Sequence, residues 1–394
     1  MIALRHLLAN TLLGCALLGC GALLLTACGG AQQQGGATGS GGKSVLIGEF
    51  GSMTGSEATF GQSTHKGIML AVEEINAAGG VKGKSLDVKS YDDRGNSTEA
   101  GTAVTRLITE DKVVAVLGEV ASSLSLAGAA VAQQFGVPMI TPASTNPQVT
   151  QKGDMISRIC FIDPYQGYVG AKFMHENLKL TKAAVLYDQT QAYSKGLKDD
   201  FIKAFKEMGG TLLTEQAYSG GDQDFNAQLT TIRGTNPEAI YLPGYYNDVA
   251  NIIAQARRLG ITVPFIGGDG WDSDKFTQIG GQAVEGCYYS NHYSPEDKRP
   301  EVVDFIAKFQ KKYNEVPDAM AALGYDAARI LADAMGRAAN LEGETLAAAI
   351  AATKNYPGVT GKITLDANRN AEKLAVMLVI KNGKPSFVTT INPK

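Results

Sequence analysis

The chain reads as an α/β protein built from two doubly wound, Rossmann-like lobes, and three observations predict it. Short β-branched runs alternate with amphipathic helical stretches from Ser44 to Ile266, the pattern of βαβ units on a parallel sheet. The alternation halts at Asp163-Pro164 and then restarts; proline disfavours helical backbone in the residue before it, so the dipeptide marks a boundary. Finally, 394 residues of ordinary apolar (44%) and charged (19%) content exceed one typical domain and suffice for two cores.

The first segment is addressing information. Arg5 and His6 precede an apolar region from Leu7 to Leu25, and small residues lead into Cys28, the arrangement of a secretory signal. A transmembrane anchor would have the length but lacks the flanking stop-transfer charges. Leu25-Thr26-Ala27-Cys28 resembles the bacterial lipoprotein box, which implies a signal peptide over 1–28 and a lipid on Cys28. Residues 29–43, almost entirely Gly, Ala, Gln, Ser and Thr, form a flexible tether.

The body then unfolds in order. Val45 to Phe50 is a strand, Gln62 to Ala78 a helix whose Ile68, Val72 and Ile75 share a face, Leu86 to Tyr91 a strand, and Ser97 to Glu110 a helix. Val113 to Leu117 and Val137 to Thr141 are buried strands flanking an Ala-rich helix from Ser123 to Phe135. Met155 to Phe161 is extended. After the break, helices at Tyr168–Leu178, Lys195–Met208, Phe225–Arg233 and Asp248–Leu259 alternate with strands at Ala183–Tyr187, Thr211–Tyr218, Ala239–Leu242 and Val263–Ile266. Cys287 to His292 is extended, helices follow at Glu301–Tyr313, Ala319–Ala338 and Leu346–Thr353, and antiparallel strands close the chain at Lys362–Leu365, Ala375–Ile380 and Ser386–Ile391.

Two turns in the first lobe carry the candidate chemistry. Gly118 to Ser123 and Pro142 to Asn146 each follow a strand of one βαβ unit, so both fall at the carboxyl edge of the sheet, where open α/β sheets bind ligands. Ser122 and Ser123 open a helix, and their hydroxyls with the free N–H groups behind them suit a small anion such as a carboxylate. Read alone, the same residues are also an ordinary cap and an ordinary turn.

The phrases Ile47-Gly48, Met53-Thr54-Gly55, Ala77-Ala78-Gly79-Gly80-Val81-Lys82-Gly83, Tyr91-Asp92-Asp93, Met139-Ile140-Thr141-Pro142-Ala143 and Leu259-Gly260 recur in the order and spacing of a known family. Over nearly all of Ser44 to Lys394 the chain resembles the leucine/isoleucine/valine-binding proteins of bacterial ABC importers, which have the type I periplasmic binding protein fold. The resemblance implies two lobes joined by three hinge crossovers, with 44–161 and 292–360 in lobe 1 and 162–291 and 361–394 in lobe 2. It implies that Ser122, the Ala143 carbonyl and the Thr145 hydroxyl meet the zwitterionic end of an amino acid. Tyr193 and Tyr245 close from the second lobe, and Asp269 pairs with the ammonium where the family usually has glutamate. Phe60 and Met320 match side-chain pocket positions, and Trp271 is an addition of this sequence. Cys160 and Cys287 fall in stretches identified with neighbouring crossovers, so a contact between them across the hinge is expected. Period-two alternation leaves open that they face opposite ways.

Other classes find less support. Net charge is −3 with both signs interspersed, so no basic patch argues for nucleic acid. The histidines, His6, His65, His175 and His292, are scattered and no Cys-x-x-Cys occurs, so no metal site is expected. Without a Gly-x-Ser-x-Gly elbow, Walker loop or His-Glu-x-x-His, neither an enzyme nor a bound cofactor is expected. The expectation is a monomeric solute-binding lipoprotein of the periplasm or cell surface, its partners an amino acid, the permease subunits and, through Cys28, the membrane. The alternatives are a sensing receptor of the same fold for an amide or other polar solute, which would need a transmembrane helix after the lobes although the chain stops at Lys394, or a lipid-anchored hydrolase.

Overall fold

A computed structural model describes residues 44–392; the expected signal peptide, Cys28 and the tether lie outside the described residues. The first strand, β1 (Val45–Gly51), is buried along nearly its whole length, as a central strand covered on both faces must be. In chain order come α1 (Ala58–Ala77), β2 (Leu86–Asp92), α2 (Ser97–Thr109), β3 (Val116–Leu117), α3 (Ser122–Phe135), β4 (Met139–Thr141) and β5 (Ile156–Arg158). These five strands pair in parallel in the order β2-β1-β3-β4-β5. Asn96 caps α2, accepting from the N–H groups of Thr98 and Glu99, and α3 ends at Gly136 with φ 65°, a left-handed cap open to glycine.

The second run is α4 (Asp163–Lys172), extended by a π turn over Phe173–Asn177, then β6 (Lys182–Asp188), α5 (Ala192–Glu207), β7 (Thr211–Tyr218), α6 (Asn226–Gly234), β8 (Ala239–Tyr241), α7 (Tyr246–Arg258), β9 (Phe265–Gly267), α8 (Asp274–Gly280) and β10 (Tyr288–Asn291). After α9 (Pro300–Tyr313), α10 (Ala319–Arg337) and α11 (Gly343–Ala351), a small antiparallel sheet forms from β11 (Tyr356–Gly358), β12 (Gly361–Leu365) and β13 (Ala371–Glu372). Then β14 (Ala375–Lys381) and β15 (Lys384–Ile391) add antiparallel to the second sheet, ordered β15-β14-β10-β9-β8-β6-β7. The chain thus leaves the first sheet for the second after Arg158, leaves the second after Asn291 for α9 to α11 and the small sheet, with α10 packed on α1, and rejoins the second after Glu372. The strand at Gly361–Leu365, expected with the second lobe, pairs instead in the small sheet, beside α10. There Asp326 accepts from the N–H groups of Val359 and Thr360, both at 2.8 Å.

Several expected boundaries shift for local reasons. Asp163-Pro164 does not merely end a segment; it starts α4 five residues ahead of the predicted Tyr168, because the first helical turn tolerates a proline that has no N–H to lose. β3 shrinks to two residues, and the helix α8 has no counterpart in the sequence reading. The cysteine contact is overturned. Both thiols are free and buried: Cys160 donates to the Ser144 carbonyl at 3.3 Å, whereas Cys287 lies 3.9 Å from an Arg257 guanidinium nitrogen. The passage to the first lobe begins at His292, which stacks on Phe161, while Cys287 precedes the far end of β10. At about 3.3 Å per residue that is roughly 16 Å away, beyond disulfide reach. Burial pushes the Cys160 thiol up to about 12 and the Cys287 thiol up to about 11, so both stay protonated.

The helices α1 and α10 approach closely enough to bring Phe60 and Met320 to one place. Gly67 and Gly324 make this possible: a Cβ on Gly67 would lie 1.9 Å from the Ala321 carbonyl oxygen, and one on Gly324 2.5 Å from that of Thr64. Gly67→Ala is therefore expected to push the helices apart and cost about 1–3 kcal/mol, as overpacking does. Urea unfolding showing an unchanged midpoint would contradict this packing.

Candidate functional site

Between the lobes lies a small closed space of about 10 Å³ whose lining residues are all buried. Phe60 from α1, Met320 from α10, Val120 from the turn after β3, and Ala143 and Thr145 from the turn after β4 form one wall; Tyr193, Tyr245, Asp269 and Gly270 form the other. Parallel pairing explains the second set. Tyr193 follows β6, Tyr245 follows β8 and Asp269 follows β9, so all three stand at one sheet edge. A wider groove of about 550 Å³ beside Tyr165, Asp200 and Lys203 shares no lining residue with this space.

Ser122 begins α3 but, contrary to expectation, does not line this space; its Oγ accepts the Asn146 N–H at 3.3 Å. It thus ties the two turns of the first lobe together. Thr145 Oγ1 faces the buried Asp163 carboxyl and Tyr245 OH faces the Ser122 backbone N–H, neither in the geometry of a full hydrogen bond. Tyr193 and Tyr245 stack at 5.2 Å, and Phe60 meets Tyr245 edge-on at 5.6 Å. Burial pushes both tyrosine phenols well above the usual range. Trp271 is a correction. It does not line the cavity: its indole N–H donates to the Leu242 carbonyl at 3.1 Å, and its ring packs against Phe276. A polar edge that finds its partner just past the strand β8 makes it core.

Of the residues lining the space, Asp269 carries the densest side-chain hydrogen bonding. Its Oδ1 accepts from Gln166 Nε2 at 2.7 Å and Tyr193 OH at 2.9 Å, and its Oδ2 lies 2.9 Å from His292 Nε2. The flanking glycines allow this crowding, since a Cβ on Gly268 would sit 2.3 Å from the Tyr193 hydroxyl. Neither Gln166 nor His292 was expected. The helix-start spacing Asp163-Pro164-Tyr165-Gln166 was the available signal for the first; a lone histidine after a strand offered none for the second.

The first-lobe turns rest on buried charge. Arg158, fully buried, donates Nη2 to the Asn146 carbonyl at 2.7 Å and Nε to Asn370 Oδ1 at 2.7 Å, and Nη1 to the Ser144 carbonyl. Beneath the other turn, Ser52 Oγ lies 2.9 Å from Asp93 Oδ1 and 3.0 Å from Glu119 Oε1, while Glu119 also accepts the Ala121 N–H. One hydroxyl has one proton to give. A proton held by the carboxyl pair supplies the missing donor, and burial does raise both, Asp93 to about 6.

Two doubly wound lobes closing on a buried cavity with polar and apolar walls define a two-lobe solute-binding protein. The chain belongs to the periplasmic binding protein family, whose model matches residues 44–384; its members are substrate-binding proteins of transporters, not enzymes. It is 30% identical over 326 residues to the leucine-, isoleucine-, valine-, threonine- and alanine-binding protein of Pseudomonas aeruginosa, covering 82% of this chain and 86% of that one. An amino acid binding protein of the same organism is 35% identical over 61% of this chain and 65% of its own length. Among solved structures, the leucine-binding protein LivK of Thermotoga maritima superposes with a TM-score of 0.86 at 42% identity, over 89% of this chain and 99% of that one. LivJ of Streptococcus pneumoniae, a branched-chain amino acid transporter substrate-binding protein in complex with isoleucine, gives 0.85 at 34%, over 89% and 100%.

The Asp93–Glu119 pair yields a pH test. A carboxyl whose folded pKa is raised from near 4 to about 6 holds more protons in the native than in the unfolded state across that window. Its contribution to stability is therefore present at acid pH and lost as pH rises through about 6. Asp93→Asn removes the titration, so the variant should gain on wild type between pH 4 and pH 7, by on the order of 3 kcal/mol for about two units. Urea unfolding with a stability difference independent of pH would refute the shared proton.

Proposed function

We propose that this chain captures an α-amino acid with an apolar, branched-chain type of side chain between its lobes and delivers it to the permease of an ABC importer. The observation that carries this reading is the convergence of Thr145, Ala143, Tyr245 and Asp269, from three separate connections, on one buried space that the Thr145 and Tyr245 hydroxyls face with only loose partners in the protein. A ligand carboxylate accepts from Thr145 Oγ1, Tyr245 OH and the Ser122 end of α3. The ammonium donates to the Ala143 carbonyl and to Asp269, and Phe60, Val120 and Met320 surround the side chain. The names of the Pseudomonas and Thermotoga relatives and the isoleucine of the Streptococcus one point the same way. The two lobes divide near 161, 292 and 373, and the body works outside the cytoplasm as a monomer, tethered by 29–43 to a lipid on Cys28.

Mass spectrometry of whatever co-purifies with the protein, released by mild unfolding, should find a branched-chain amino acid. Ser122→Ala combined with Thr145→Ala should weaken its binding by on the order of tenfold to a hundredfold per lost charged hydrogen bond. An unchanged dissociation constant by calorimetry would remove these residues from the site. Separately, Cys28→Ser should abolish palmitate labelling in cells while the purified body still folds and binds; equal labelling of wild type and variant would exclude Cys28 as the anchor.

A further inference from the structure

The ammonium acceptor is itself held by the hinge. We propose that His292 is a positioning residue for amine recognition: it fixes the Asp269 carboxylate from the second interlobe passage and so makes the cavity selective for ligands that carry an ammonium. This rests on the reading that the cavity binds an α-amino acid. Aspartate reaches one methylene less far than glutamate, and the structure compensates by clamping it. Gln166 and Tyr193 occupy Oδ1 and His292 reaches Oδ2. An ionised carboxylate has about four acceptor positions, so one remains, on Oδ2 beside the imidazole, for a ligand N–H.

The protonation state follows from the partners. A carboxylate only accepts, so His292 Nε2 must carry the hydrogen, and Nδ1 is buried with no partner. Burial lowers the imidazole to about 4, against the opposing pull of Asp269, which keeps it uncharged near neutrality. Gln166 and Tyr193 are uncharged donors too, and among the described residues no lysine or arginine forms an ion pair with Asp269. The carboxylate is thus oriented three times over by uncharged donors alone. A cationic donor here would have spent the carboxylate charge inside the protein; a neutral one leaves it for the ligand.

The clamp also joins moving parts. His292 stacks on Phe161, ring centroids 3.8 Å apart and planes at 22°, which brings the first and second passages between lobes into contact. Gln166 lies in the first turn of α4, directly after the first passage. The amine acceptor is therefore built at the place where the lobes pivot.

The test compares L-leucine with 4-methylpentanoate, which is leucine without its amine, by calorimetric competition. His292→Leu keeps apolar bulk but removes the N–H; it should weaken leucine binding about tenfold to a hundredfold while changing 4-methylpentanoate by less than about threefold. His292→Gln, which returns an N–H near the Nε2 position, should recover most of the leucine affinity. Equal losses for both ligands, or no loss, would reduce His292 to a structural role and overturn the proposal. Wild type that binds no leucine would instead overturn the amino acid reading, and this inference with it. Should the leucine variant not fold, ¹⁵N NMR of histidine-labelled wild type decides: a neutral Nε2–H imidazole for His292 at pH 7 is expected, and an Nδ1–H tautomer or an imidazolium would sink the proposal.

Discussion

The first-lobe side of the site depends on one buried cation. Arg158 closes the first parallel sheet, and its guanidinium spends its donors on the carbonyls of Ser144 and Asn146, on Thr150 Oγ1 and on Asn370 Oδ1. Guanidinium presents five donors in a rigid fork, so a single side chain dictates the path of the turn that carries Ala143 and Thr145. Asn370 links the same cation to the small sheet before the third passage between lobes. Burial lowers the Arg158 pKa somewhat, but a guanidinium stays charged in proteins, and the positive charge lies beneath the turn where an anionic ligand end would rest.

Across the cavity the arrangement is the reverse. Asp269 is a buried anion met only by uncharged donors, and Ser122, Thr145 and Tyr245 offer uncharged hydroxyls. The first-lobe turn thus rests on a buried guanidinium, while the second-lobe wall carries a carboxyl group whose donors are uncharged, a layout that suits the proposed zwitterionic ligand.

The contacts that hold the lobes together in this conformation are mostly short polar bonds around the rim. Ala192 N donates to Ser123 Oγ and Asn146 Nδ2 donates to the Ala192 carbonyl, both at 3.0 Å. Tyr246 OH donates to the Ser56 carbonyl at 2.8 Å, and Asp272 Oδ2 accepts the Ala319 N–H at 2.7 Å. Each involves groups that water can satisfy when the lobes part, so each has a small net worth. Such a rim can open; a continuous apolar interface between the lobes could not.

The order of strands and helices was legible in the sequence because it is local: β-branched runs and amphipathic periods report burial on one face or two, and Gly, Pro and Asn punctuate them. Parallel pairing then put the connections after β3, β4, β6, β8 and β9 at sheet edges, and the family resemblance supplied roles for Ser122, Ala143, Thr145, Tyr193, Tyr245, Asp269, Phe60 and Met320. Tertiary structure alone decided the rest. Trp271 turned away into the core because its indole N–H found the Leu242 carbonyl just past β8. Cys160 and Cys287 separated because β10 runs its full length between them. Gln166, His292 and Arg158 joined the site through partners more than one hundred positions away in two cases, Asp269 for Gln166 and Asn370 for Arg158. Sequence periodicity carries no information about such pairings, because which donor meets a buried carboxylate depends on how two lobes and three crossovers pack, and that is settled only when the whole chain has closed.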